Sequence, residues 1–217
     1  MSAKLNPFDL KRQLAFYGAY HSNPSNVLIH MVGVPIIIFS TSIYLSTTPS
    51  LKPHLESILP SSFLHSSESL LYSTLPEWST RNVKLDLSTL FMGSYLLYYF
   101  LLDPLAALLL SPIWFSLHHY SNLISSTLPS DQVTKIWSSL FLLGWISQFF
   151  GHGYFERRAP ALLDNLLGAV VLAPFFVWLE FLFHLGYRTQ LQKWLKNETG
   201  RLIAEFRREK AQKRRTR

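Results

Sequence analysis

Apolar residues arrive along this chain in long unbroken blocks, unlike the alternation of half-buried strands or the narrow stripes of surface helices. No Asp, Glu, Lys or Arg occurs between Arg12 and Lys52, and Val27 to Ser46 (VLIHMVGVPIIIFSTSIYLS) supplies about the 20 residues that cross roughly 30 Å of hydrocarbon. This run starts late, contains His30 and Pro35 and lacks a convincing cleavage site, so it reads as a span and not as a secretory signal. Leu87 to Leu117 is apolar apart from Asp103, and two more blocks cover Val133 to Phe150 and Ala161 to Tyr187. Leu87–Leu102 and Pro104–His118 predict two short helices of about 24 Å, joined at Asp103-Pro104, and the last block can bend likewise at Pro174. The pattern predicts an all-α, polytopic membrane bundle with four to six membrane-embedded helices over residues 1–187. Thr47 to Asp86, rich in Ser, Thr and Pro and without a sustained period, reads as a polar, partly ordered insert holding the solvated His54 and His65.

Composition sharpens this picture. Of 217 residues, 48% are hydrophobic and 15% charged, where soluble domains hold nearer 25% charged residues. There is no cysteine, which removes disulfides, thiolate metal sites and thiol nucleophiles. The net charge of +7 is almost wholly terminal: residues 188–217 hold 11 Lys/Arg against 3 Asp/Glu, leaving 9 against 10 before them. Such a balance describes a basic amphipathic tail helix resting on anionic lipid headgroups at the cytoplasmic face, and no nucleic-acid-binding fold.

Ionisable groups at membrane depth are the places to look for chemistry. The first cluster lies in Tyr17-Gly18-Ala19-Tyr20-His21-Ser22-Asn23-Pro24-Ser25-Asn26-Val27-Leu28-Ile29-His30. On one continuous helix the gap from His21 to His30 amounts to about 900°, which puts the rings on opposite faces. Asn23 as a cap with Pro24 in the first helical position changes that, letting His21 on the incoming segment fold back toward the first turns that carry His30. The second cluster runs from Gln148 through Gly151-His152-Gly153 to Glu156-Arg157-Arg158, where Gln148, His152 and Glu156 share a face if helix persists. Packing histidines and ligand histidines look alike singly; two clusters together favour a metal site. Imidazole and carboxylate donors without thiolate suit Fe(II), Mn, Zn or Ni. His118, with His119 beside it and Asn122 one turn on, is a further candidate ligand.

Gln13 to Pro35 and Gly144 to Phe176 resemble the fungal 2-hydroxy-fatty-acid dioxygenase family. The resemblance implies a multi-pass endoplasmic-reticulum enzyme that uses Fe(II) and O2 to shorten a 2-hydroxy fatty acid by one carbon in phytosphingosine breakdown. It implies His21, His30 and His152 as metal ligands and extends to His118, Glu156 and Asn26. In that reading Glu156 ligates the metal or orients a ligand histidine, and Arg157 or Arg158 steadies the substrate carboxylate. No Gly-rich nucleotide fingerprint is present, consistent with a substrate that supplies the electrons.

Both clusters must then reach one membrane face. Counting crossings from His30 to His152 gives an even number only if the chain divides at Asp103-Pro104. A membrane di-iron hydroxylase or desaturase, which needs about eight clustered histidines, and a non-enzymatic lipid-binding scaffold are the competing readings. A transporter lacks the symmetric broken helices it would need.

Overall fold

The computed structural model describes residues 6–58, 60–74, 84–156 and 168–215, and all regular structure among them is helical. In chain order the helices are α1 (Leu10–Tyr20), α2 (Pro24–Ser46), α3 (Lys52–Ile58), α4 (Ser61–Thr74), α5 (Leu87–Leu102), α6 (Pro104–Thr127), α7 (Ser130–Phe150), α8 (Ala173–His184) and α9 (Thr189–Arg215), with π-helical turns at Gly151–Glu156 and Gly168–Leu172. The chain divides into two compact units. One comprises Met1–Pro35, Tyr99–Ala106 and Gly144–Arg217; the other comprises Ile36–Tyr98 and Ala107–Leu143.

The first unit packs α1, the opening turns of α2, the α5–α6 corner, the π-helical turns, α8 and α9. Asp9 caps α1 by accepting from the Arg12 amide at 3.1 Å. Asp103-Pro104 breaks the apolar block as its sequence predicts, because the proline ring obstructs a continuing helix. The buried Asp103 carboxylate accepts from the Ala106 amide (3.3 Å) and the Tyr187 hydroxyl (2.9 Å), and meets the Arg188 guanidinium at 3.3 Å. Arg188 takes the left-handed φ of 45° where the chain turns from α8 into α9. Tyr99 stacks on Phe175 at 4.5 Å and donates its hydroxyl to the Val171 carbonyl at 2.7 Å. Pro174 sits in the first turn of α8, so the expected mid-block bend is instead a π-helical turn followed by a fresh helix start.

In the second unit the Trp114 indole donates to the Met92 carbonyl at 2.8 Å, and Ser42 bonds Ser88 at 2.8 Å. The insert is more regular than its composition suggests, since α3 and α4 both fall within it; none of α3 is buried. The Leu51 amide reaches the Leu85 carbonyl at 2.6 Å, closing the ends of the insert against each other.

The expectation of four to six embedded helices is met only in part. Among the described residues α2 alone is long and apolar enough to cross a bilayer, with mean hydropathy 1.9. Val170–His184 and Thr189–Arg208 reach that measure only jointly, and they are bent by 117°. The reasons are local: α5 has 16 residues, α6 ends in the polar run around His118-His119, and α7 begins with Asp131 and Lys135.

Candidate metal centre

His21 terminates α1. Its amide bonds back to the Gly18 and Tyr17 carbonyls, and its ring stacks on Tyr17 at 3.8 Å with Nδ1 2.8 Å from the Tyr17 carbonyl. The chain then turns through Ser22 and Asn23. Asn23 caps α2 as its sequence predicts, Oδ1 accepting from the Ser25 amide at 2.9 Å, with Pro24 opening the helix. Under two turns on, His30 points inward with Nδ1 2.9 Å from the Asn26 carbonyl. His152 arrives from the other motif, on the π-helical turn that follows α7. Such turns insert an extra residue per turn and recur at functional sites.

The three rings meet. Centroids lie 4.5 Å apart for His21 and His30, 4.8 Å for His21 and His152, and 4.9 Å for His30 and His152. One ring nitrogen from each falls within 4.8 Å of the other two. His30 and His152 are 4% and 3% exposed, whereas His21 is partly exposed. In His21 and His30 the Nδ1 atom faces a carbonyl oxygen, which can only accept; Nδ1 therefore carries the proton and Nε2 presents its lone pair. Carbonyl-oriented imidazoles of this kind are the usual outer support of metal ligands. Burial, reinforced by the neighbouring His30 ring, holds the His21 imidazole well below its ordinary pKa and so in the neutral form that binds metal. Three imidazoles from two sequence motifs, those of His30 and His152 buried, fit a divalent transition-metal ion by the chemistry of the donor set.

Glu156 closes the arrangement. Its carboxylate accepts from the Ser22 hydroxyl at 3.0 Å, the Asn23 amide at 2.8 Å and the Asn26 side-chain amide at 3.2 Å. Among the described residues these bonds run to the turn between His21 and His30 and not to an imidazole. Glu156 thereby staples the His152 turn to the His21–His30 turn. The charge also sits where the α2 dipole favours it. Asn26, fully buried, contributes its carbonyl to His30 and its side-chain amide to Glu156. Beside these residues lies a cavity of about 510 Å3 lined by Asn23, Gly153, Tyr154 and Phe155.

His118 belongs to the other unit. It bonds Ser88 at 3.2 Å and Thr89 and Asn122 at 3.3 Å, a buried polar network of the other unit. Arg157 and Arg158 lie outside the described residues. Ser22 and Tyr17 are not singled out by sequence reasoning. The four-residue spacing of Tyr17 and His21 carries the signal for their stack, whereas the Ser22–Glu156 bond joins residues 134 positions apart and leaves none.

A profile of the 2-hydroxy-palmitic acid dioxygenase Mpo1-like family matches residues 8–185, most of the chain and all three histidines. The chain belongs to the Mpo1-like family. It is accordingly a dioxygenase. A curated Mpo1-like relative, the 2-hydroxy-palmitic acid dioxygenase MPO1 of Saccharomyces cerevisiae, is 38% identical over 190 residues, 88% of this chain and 89% of its own length. No solved structure matches the chain. The Mpo1-like match starts just before α1 and stops one residue after α8, leaving α9 beyond it.

Proposed function

We propose that this chain catalyses the Fe(II)-dependent alpha-oxidation of long-chain 2-hydroxy fatty acids in the endoplasmic-reticulum membrane, as a multi-pass protein serving phytosphingosine breakdown. The observation that carries the reading is the convergence of His21, His30 and His152, with Nε2 of the first two freed by carbonyl bonds, inside the Mpo1-like match. In the overall balance a 2-hydroxy acid and O2 give the acid one carbon shorter, CO2 and water, so the substrate itself is the reductant. His21, His30 and His152 would hold Fe(II), which when bound would supply O2 activation. The chain's residues do the rest. Tyr17 and the Asn26 carbonyl fix the imidazoles, Glu156 keeps the two motifs in register, and burial of His30 and His152 excludes water. Arg157 or Arg158 steadies the substrate carboxylate, and each methylene of the acyl chain buried against apolar helices adds about 0.8 kcal/mol of selectivity. Leu97 and Leu101 on α5 are 65% and 64% exposed, and Leu143 and Ile146 on α7 are each 62% exposed; such apolar surface supports a lipid setting.

The deciding experiment is anaerobic loading of the purified protein with Fe(II), then addition of 2-hydroxypalmitate and O2. The expected product is the fifteen-carbon acid together with CO2. Its formation by a His21, His30 and His152 triple alanine variant would defeat the assignment. Cysteine introduced at Ser22 and at Tyr154 should label from the same membrane face, since both flank one site.

A further inference from the structure

The C-terminal helix lies outside the residues on which the dioxygenase reading rests, yet it is built into the same unit. One face of α9 packs along α1: Thr199 approaches so closely that a Cβ on Gly18 would stand 2.8 Å from its hydroxyl, and Phe206 meets Tyr20 edge to face at 6.0 Å. Leu191 on that face is 9% exposed. Tyr20 immediately precedes His21, so α9 is the bed on which this arm of the metal cluster lies.

A second face, turned about 60–120° around the helix from Thr199, is cationic. At about 100° per residue, Lys193, Lys196 and Arg207 fall within roughly 60° of one another, and all three are exposed. Among the described residues none of them has an ion-pair partner, whereas Arg201, on another line of the helix, is held between Glu198 and Glu205. The helix follows the strongly apolar α8 after a bend of 117°. A chain that leaves an apolar medium and then runs along its surface makes this turn. Leu185, 70% exposed, stands at the bend and is the kind of apolar group that enters a headgroup layer.

We propose that α9 is an interfacial helix whose Lys193–Lys196–Arg207 face docks on an anionic phospholipid surface while its other face carries α1. Its apolar side is taken up by α1, so charge supplies the attraction. Docking is therefore released by salt, unlike the insertion of an apolar helix face.

The chain has no cysteine, so a single cysteine at the exposed Ala204, near the cationic face, takes a fluorescent label without competition. The full-length protein is placed in nanodiscs of phosphatidylcholine alone or with about 30% phosphatidylserine, and quenching by neutral acrylamide is measured. In the anionic discs the quenching constant should fall about twofold, and about 0.5 M NaCl should restore it. A K193E/K196E/R207E variant should show no difference between the two lipids. Equal quenching of the unsubstituted chain in both discs overturns the proposal, as does shielding that salt leaves intact. Shielding that appears only when a DNA duplex is added overturns it too, by assigning the face to nucleic acid. None of these readouts requires turnover, so the result stands apart from the fate of the proposed reaction.

Discussion

Gly151 and Gly153 flank His152 and differ in what they tolerate. A Cβ at Gly151 would collide with the buried Asn26 Oδ1, whereas nothing lies within 4 Å of a Cβ at Gly153. Gly151→Ala should therefore destabilise the protein by about 1–3 kcal/mol through overpacking, and it should weaken metal binding because Asn26 is displaced from Glu156 and His30. Gly153→Ala should leave both within error. Thermal unfolding with cobalt(II) titration of the two variants makes the comparison. His21 gives a pH prediction at the same scale. Its imidazole is held neutral in the fold, so below the ordinary histidine pKa of about 6.5 the unfolded chain binds the extra proton. Stability of the metal-free protein should decline as pH falls through that value, and this contribution should level off below the depressed folded pKa. His21→Gln should flatten part of the acid limb of a Tm-against-pH curve; an unchanged limb would remove His21 from the account.

Elements show which features the sequence carried legibly. The turn that sets His21 against His30 was readable because Asn23-Pro24 is a local signal, and so was the α5–α6 break at Asp103-Pro104. The π-helical setting of His152, the staple made by Glu156 and the partners of His118 were not, because each depends on contacts between distant residues. The count of four to six embedded helices is met only in part for another reason: apolar composition over a block does not register that α6 ends in polar residues and α7 starts with charged ones. Two substitutions separate these roles. Glu156→Gln removes the charge and keeps one acceptor oxygen, so its amide hydrogens must face either the Ser22 hydroxyl or the Asn23 and Asn26 amide donors. Cobalt(II) affinity should fall about 10–100-fold while the helix content stays the same. His118→Ala removes one partner each from Ser88, Thr89 and Asn122 in a buried network, while Ser88 keeps Ser42 and Asn122 keeps the carbonyl at position 118, and should cost about 1–3 kcal/mol in unfolding free energy. Its metal affinity should match that of the unsubstituted protein, and a large loss would return His118 to the ligand set.

For the molecule, the histidines matter as a tie between distant parts of the chain. His21 and His30 flank the α1–α2 turn, and His152 follows α7 more than a hundred positions later, so an ion bound by all three joins segments that the unfolded chain does not hold together. Binding to the folded state alone raises stability by RT ln(1 + [L]/Kd), about 2.7 kcal/mol at a ligand concentration 100 times Kd. Unfolding should therefore shift to higher temperature as metal is added and return when a chelator removes it. A His152→Ala variant should lose nearly all of the shift. A single lost ligand from the first motif should leave a residue of it, because His152 is the tie's only anchor among the three beyond α7. If His152→Ala retained the full metal-dependent shift, the ion would be sitting on the α1–α2 turn alone, and the second motif would be packing against a site that it does not help to build.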